Sequence, residues 1–163
     1  MEQIGTFGAS PWRVDDLQLF AGSEPQLIAQ ALAGCAIVRV ARGTRVEEGC
    51  RARLYIVLAG ALEVAEDTSS GMSDGTVSKV LPGESVGEQA VLDDTANLAA
   101  ITASVDSDVL VIEADLVWQL IDQSNGLARN LLRMLSFRIR AANALLRRRQ
   151  KLGEFYRQMS LND

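Results

Sequence analysis

The spacing of apolar positions changes twice along this chain, and each change marks a passage between kinds of structure. Leu27, Ile28, Ala31 and Leu32 recur at helical intervals. Ser23-Glu-Pro-Gln26 just before them predicts a capping box, with Ser23 as N-cap and Gln26 reaching back, and Gly34 supplies a stop. From Ala36 the interval falls to two. Ala36, Val38 and Val40 alternate with Ile37, Arg39 and Ala41, and turns follow at Ala41–Thr44 and Glu47–Gly49 around a short Arg45-Val46 step. Leu54–Leu58 is the strongest predicted strand; Gly60 and a second run, Ala61–Ala65, come next. Asp67–Thr76, rich in Ser, Gly and Asp, reads as a hairpin loop before the strand Val77–Leu81. Ala100–Val105 is expected to pair with Val109–Ile112 through the turn Asp106-Ser-Asp108.

From Asp115 the period is helical again. Leu116, Val117, Leu120 and Ile121 mark one face of a short helix, and Ser124-Asn125-Gly126 forms a break and a new cap. A long helix is predicted from about Leu127 to about Leu152, with Gly153 interrupting it. Leu131, Leu135, Ile139, Ala142 and Leu146 give it one sustained apolar stripe. Residues 1–16, with Gly5, Gly8, Pro11 and Trp12, read as a loosely structured arm holding one anchor. The expected organisation is therefore an arm (1–16), one domain (17–152) that includes the long helix, and a tail (153–163). Many short strands between helical ends predict a mainly β fold with flanking helices, a sandwich or barrel-like roll.

Composition narrows what such a fold can do. With 163 residues the chain is long enough for one domain with a real core. Leu27–Val38, its longest mostly apolar stretch, contains Gln30 and is too short to span a bilayer, and the N-terminus carries no evident secretion signal. Cys35 and Cys50 form neither a metal spacing nor a disulfide framework, Cys35 reading as a buried small hydrophobe and Cys50 as the more exposed; a cytoplasmic, reducing compartment fits best. There is no histidine, which removes Ser-His-Asp and Cys-His nucleophiles and the histidine-bearing metal sites of cupin-type rolls. The adjacent acids Glu47/Glu48 and Asp93/Asp94 read as solvated turn residues. No catalytic residues, metal ligands or cofactor are expected, and the chain does not read as an enzyme.

The net charge of −5 conceals a polarity. Residues 1–123 carry 7 basic and 19 acidic side chains, whereas residues 124–163 carry 9 basic and 2 acidic. The cluster Arg147-Arg-Arg-Gln-Lys151 reads as a solvated helix end whose cations complement the helix dipole, or as a partner for the acidic roll. Nucleic acid or an acidic membrane surface is the alternative.

One stretch stands apart from the alternation. Pro82-Gly-Glu-Ser-Val-Gly87-Glu88 leads into Gln89–Leu92 and on to Asn97-Leu98-Ala99, a compact excursion between two strands. Its two glycines permit positive φ and close backbone approach, so amides beside Glu88 could face a small ligand. The frame Gly87-Glu88-Gln89-Ala90-Val91-Leu92, four residues, then Asn97-Leu98-Ala99 resembles the phosphate-binding cassette of the cyclic-nucleotide-binding domain family. That cassette runs Phe-Gly-Glu-Leu-Ala-Leu-Leu, four variable residues, then Arg-Ser/Thr-Ala. Arg42–Gly49 is similar to the family's Pro-Gly-x-x-Ile-x-x-x-Gly strand pair, without its Pro and one residue short. Leu54–Val64 is similar to its Leu-Tyr-x-Ile-x-x-Gly-x-Val-x-Val. The likeness covers roughly residues 17 to 150.

The resemblance implies a double-stranded β-helix, or jelly-roll-like β-roll, with an N-terminal helix, a short C-terminal helix and a long helix that pairs with its symmetry mate in a homodimer. It implies that Glu88 accepts a hydrogen bond from a ribose 2′-hydroxyl and that the Gly87 amide lies nearby. The Arg and Ser/Thr that hold the cyclic phosphate fall on Asn97 and Leu98, leaving the amide of Ala99 in place. Asn offers neutral donors and Leu none, so the charged fork is missing. The purine contact falls near Ala142-Asn143, where only Asn143 has a polar side chain. The expected ligand is cyclic AMP, cyclic GMP or a related small anion, bound weakly or atypically by a sensor that signals through an unknown protein partner. The alternative is a dimeric interaction module whose pocket is vestigial. The family's activators continue into a helix-turn-helix, whereas only Glu154–Asp163 follow Gly153 here, so no DNA-binding domain is expected.

Overall fold

The computed structural model describes residues 1–46, 51–65, 77–93 and 100–160. They fall into two compact units, Met1–Leu127 and Ala128–Asp163. The first is a mainly β roll with flanking helices, as the alternating pattern implies.

Among the described residues eight strands form two antiparallel sheets. The larger has the order β1-β2-β8-β3-β6 and the smaller β5-β4-β7. Their spans are β1 (Glu2–Thr6), β2 (Ala36–Val40), β3 (Arg53–Ala59), β4 (Leu62–Ala65), β5 (Val77–Val80), β6 (Ser85–Val86), β7 (Ala100–Ala103) and β8 (Ser107–Glu113). Side chains alternate across a strand, and β3 uses both faces. Tyr55 and Val57 enter a core between the sheets with Val40, Val46, Leu62, Val80, Val86, Ile101, Ala103 and Val109. Leu54, Ile56 and Leu58 point the opposite way and are buried as well, on the face where helix α3 (Ala114–Gln123) packs against β3 and β8. Helix α1 (Pro25–Leu32) buries Ile28 and Leu32, and short 3-10 turns at Phe7–Ala9, Val14–Asp16 and Gln18–Phe20 bury Phe7, Val14, Leu17, Leu19 and Phe20. Residues buried on both faces explain why Leu54–Leu58 reads as a continuous apolar run.

Three short corners carry the chain directly between the sheets, and a longer connection takes β6 to β7. Gly60 and Ala61 take β3 to β4, residues 81–84 take β5 to β6, and residues 104–106 take β7 to β8. The first and third are fastened to each other: the Ala61 amide donates to the buried Ser107 Oγ (3.0 Å), and the Ser104 amide donates to the Ala61 carbonyl (3.0 Å). Gly60 has φ 84°, and a Cβ there would strike Ser107 and the Asp106 carbonyl. Only glycine fits.

Several sequence expectations need correction. Ala100–Val105 and Val109–Ile112 do not form a hairpin: β7 pairs with β4 and β8 lies between β2 and β3. Alternation marks strands but carries no information on partners, and the Asp106-Ser-Asp108 turn changes sheet instead of reversing within one. Residues 1–16 are more than an arm, because β1 pairs with β2 in register Glu2↔Arg39 to Thr6↔Ala36. The Ser23 capping box does not form. Glu24 is the N-cap, with no side-chain cap bond, and Ser23 Oγ lies 3.3 Å from Ser124 Oγ. The Asp67–Thr76 loop and Cys50 lie outside the described residues.

The long helix α4 (Asn125–Ser160), whose residues from Ala128 on belong to the second unit, runs through Gly153 without stopping. An internal glycine costs only about 1 kcal/mol relative to Ala, less than is needed to end a helix by itself. Its start is as predicted: Ser124 is extended (φ −133°, ψ 100°) and its Oγ accepts a hydrogen bond from the Leu127 amide (3.3 Å). Among the described residues no helix is long and apolar enough to cross a membrane.

Candidate functional site

The excursion between β5 and β7 is built against β3. At its first turn Gly83 has φ 86°; its amide donates to the Val57 carbonyl (2.8 Å), and its carbonyl accepts from the Gln18 amide (2.9 Å). A Cβ there would lie 2.6 Å from the Asp16 carbonyl oxygen. The next residue closes the turn: Glu84 Oε2 accepts from the Leu81 amide (2.8 Å), while the Glu84 carbonyl accepts from the Val57 amide (3.0 Å). Ser85 and Val86 then pair with Ile56 and Tyr55.

Gly87 follows with φ 94°. A Cβ at this position would run into the carbonyl of Arg53 and sit 3.4 Å from the Tyr55 ring, so the backbone lies bare against β3. Arg53 is itself fixed, its Nε donating to Glu113 Oε1 (2.9 Å) across the β3–β8 ladder. The chain turns at once into helix α2 (Glu88–Asp93). Trp118 of α3 donates its Nε1–H to the Val91 carbonyl (3.2 Å), tying the two helices together.

Glu88 is 1% exposed. Burying a carboxylate costs several kcal/mol unless charge or hydrogen bonds compensate. The residue is engaged within the protein, while its buried Oε2 has no hydrogen-bond partner among the described residues. Gly87 and Glu88 are thus brought together as a buried, closely packed backbone turn followed by an enclosed carboxylate, whose oxygens are suited to accept a hydroxyl. Asn97, Leu98 and Ala99 lie outside the described residues. Asn143 is exposed on α4. Sequence reasoning missed the parts that position the pair, namely the Arg53 carbonyl, the Tyr55 ring and Trp118. Trp118 carried one signal, a large aromatic beside the apolar stripe of α3 instead of within it.

Two other features are separate from this pair. A cavity of about 430 Å³ is lined by Trp12, Asp16, Leu17, Val57, Leu58, Pro82 and Gly83, and includes neither Gly87 nor Glu88. Cys35 is a free, half-buried thiol, pushed above its ordinary value first by burial and then by the negative charge of Glu113. Among the described residues no group of acids and cysteines could hold a metal ion.

Comparison with known proteins agrees with this architecture. The family model described as cyclic nucleotide-binding domain matches residues 28–124, more than half of the chain. No curated protein matches. Among solved structures, the catabolite activator protein of Thermus thermophilus is similar with TM-score 0.67 and 25% identity, over 79% of this chain and 61% of that one. This chain therefore spans less than two thirds of that protein's length. The N-terminal domain of a transcriptional regulator from Streptomyces coelicolor is similar with TM-score 0.59 and 25% identity, over 81% of this chain and 94% of that one. A cyclic nucleotide-binding domain from Methylobacillus flagellatus reaches TM-score 0.69 at 20% identity, over 85% and 83% of the two chains. The roll, its cassette corner and the match over residues 28–124 lead to one conclusion: the chain belongs to the cyclic nucleotide-binding domain family.

Proposed function

We propose that this chain is a regulatory sensor module that binds a cyclic nucleotide or a related small anionic ligand, weakly or with atypical preference, and acts through a protein partner. The observation that carries the reading is the juxtaposition of Gly87, whose backbone no side chain could cover, with the enclosed carboxylate of Glu88. In this reading Glu88 accepts a ribose hydroxyl and the Gly87 amide faces the sugar-phosphate. The cyclic phosphate then meets Asn97 and Leu98 where the family has Arg and Ser/Thr. A hydrogen bond to a charged group contributes about 1.5–3 kcal/mol, so its loss weakens binding by roughly one to two decades. Two cysteines with no disulfide framework fit a reducing, cytoplasmic setting.

A second reading, a dimeric interaction module with a vestigial pocket, is favoured by those same two residues. Assembly is common to both readings. Leu132, Ile139 and Leu146 are 56–67% exposed on α4, and we assign that side of the helix to a homodimer. The two readings separate by thermal shift of the unmodified protein with cyclic AMP, cyclic GMP and cyclic dinucleotides. A ligand that binds only the native state stabilises it by about 2.7 kcal/mol at one hundred times its Kd. The sensor reading predicts a saturable upward shift with at least one of them. No shift at millimolar ligand would establish the vestigial pocket instead.

A further inference from the structure

Between Asn125 and Gly153 helix α4 contains eight arginines and lysines and no acidic residue. Their order on the helix is not random. At 3.6 residues per turn, Arg129, Arg133, Arg140, Arg147 and Lys151 fall within an arc of roughly 40°. The apolar stripe of Leu131, Leu135, Ile139, Ala142 and Leu146 is centred roughly 140° away, close to the opposite side. At about 1.5 Å rise per residue the basic row is roughly 33 Å long. All five side chains are exposed, and none makes an ion pair among the described residues.

The helix-end explanation of these cations does not survive the structure. Dipole stabilisation fades within the last turn, and α4 continues to Ser160, nine residues beyond Lys151. The helix dipole therefore does not account for the row. Phe137, 66% exposed, stands one turn after Arg133 and one turn before Arg140, within the reach of both. The face thus combines a line of guanidinium forks with a central apolar anchor.

We propose that this arginine face of α4 is a docking site for an acidic helical segment of a partner protein. The choice of occupant follows from spacing and chemistry. Arg133, Arg140 and Arg147 repeat every seven residues, about 10.5 Å, which is the spacing of carboxylates at seven-residue intervals on a second helix. Arg forks match carboxylates bidentately. A duplex phosphate backbone offers nothing for Phe137 to bury against, whereas an amphipathic acidic helix does. A membrane-surface helix lays its apolar side in the lipid, and on α4 that side is the one assigned to the homodimer.

The inference names the partner chemistry for the protein-partner element of the proposed function, and rests on that reading only for the existence of a partner. The test uses the full chain without nucleotide, and as probe a labelled synthetic helical peptide with Glu at seven-residue intervals and one Leu on the same face, followed by fluorescence anisotropy across a salt series. Salt-sensitive binding is expected. R140Q/R147Q should lower affinity at least about tenfold, F137A should lower it severalfold, and the charge-matched control R42Q/R45Q should change it less than about twofold. Circular dichroism and thermal unfolding of each variant establish that it is folded. Absence of peptide binding at low salt, an equal loss in R42Q/R45Q, or tighter binding of a single-stranded oligonucleotide or of anionic vesicles would each overturn the proposal. Failure of cyclic nucleotides to shift unfolding leaves these readouts untouched, so the two readings fail separately.

Discussion

The cassette corner and helix α4 treat their side chains in opposite ways. At the corner, Gly83 and Glu84 are fixed by backbone bonds to β3, carbonyls leave no room for a Cβ at Gly83 or Gly87, and Glu88 is enclosed. The backbone course of that segment is set inside the roll. On α4 the reverse holds. Leu132, Phe137, Ile139 and Leu146 stay exposed, and a row of cations has no acid on its own helix before Glu154. One region is specified by its own chain. The other leaves apolar and charged side chains exposed, and on the proposed reading that division separates a recognition site from an output surface.

Substitution at the corner should have the largest effect. Gly87→Val adds a branched side chain at φ 94° and drives a Cβ into the Arg53 carbonyl. We expect a loss of about 4 kcal/mol or more in urea unfolding, above the usual range for single changes. Gly34→Val, where nothing lies within 4 Å of the added atom, should stay within about 1 kcal/mol. Equal effects at the two positions would mean that the corner is not built as described.

The roll's core comes next. Leu62 is fully buried between the sheets, and Leu62→Ala should cost about 2–5 kcal/mol by transfer and cavity terms. Ile139, 61% exposed, should tolerate Ala within about 0.5 kcal/mol. Its effect belongs to assembly: Ile139→Glu should shift the proposed dimer to monomer in analytical ultracentrifugation. If the unmodified protein already sediments as a monomer at micromolar concentration, the exposed stripe has another use.

The smallest effect concerns Cys35. Its thiol is raised by burial and by Glu113, so the folded state disfavours the thiolate. The sign follows directly. Below the ordinary value near 9.0 both states keep the proton and the thiol contributes no pH dependence. As pH rises past that value the unfolded chain deprotonates first, and stability falls. Chemical denaturation from pH 8 to 10 should show a modest decline that Cys35→Ala reduces, and alkylation of the folded thiol should be slower than that of a free one.

How much of this was legible in the sequence depends on where the information lies. Leu54–Leu58 was readable because burial on both faces leaves an uninterrupted apolar run. β1 was not, because four of its five residues are exposed and an edge strand needs only backbone pairing, which leaves no apolar period. The sheet change between β7 and β8 was invisible for a related reason. Ser107 fastens that corner to Ala61, 46 residues earlier, and no local pattern encodes such a bond. Gly87 and Glu88 were legible by motif, but the reason only glycine fits is the Arg53 carbonyl, which belongs to a distant strand. The arginine row of α4 was half visible: the cluster at 147–151 stood out, while Arg129, Arg133 and Arg140 join it only when the helix is continuous.

The central claim is that the Gly87–Glu88 half of a cyclic-nucleotide site is built and that its deficit is confined to positions 97 and 98. Titration calorimetry with cyclic AMP on the double substitution Asn97→Arg, Leu98→Ser tests this most directly. The account predicts an affinity at least about tenfold above that of the unmodified protein, the lower end of what a charged fork supplies, and loss of that gain when Glu88→Ala is added. A folded double variant with unchanged affinity would contradict it.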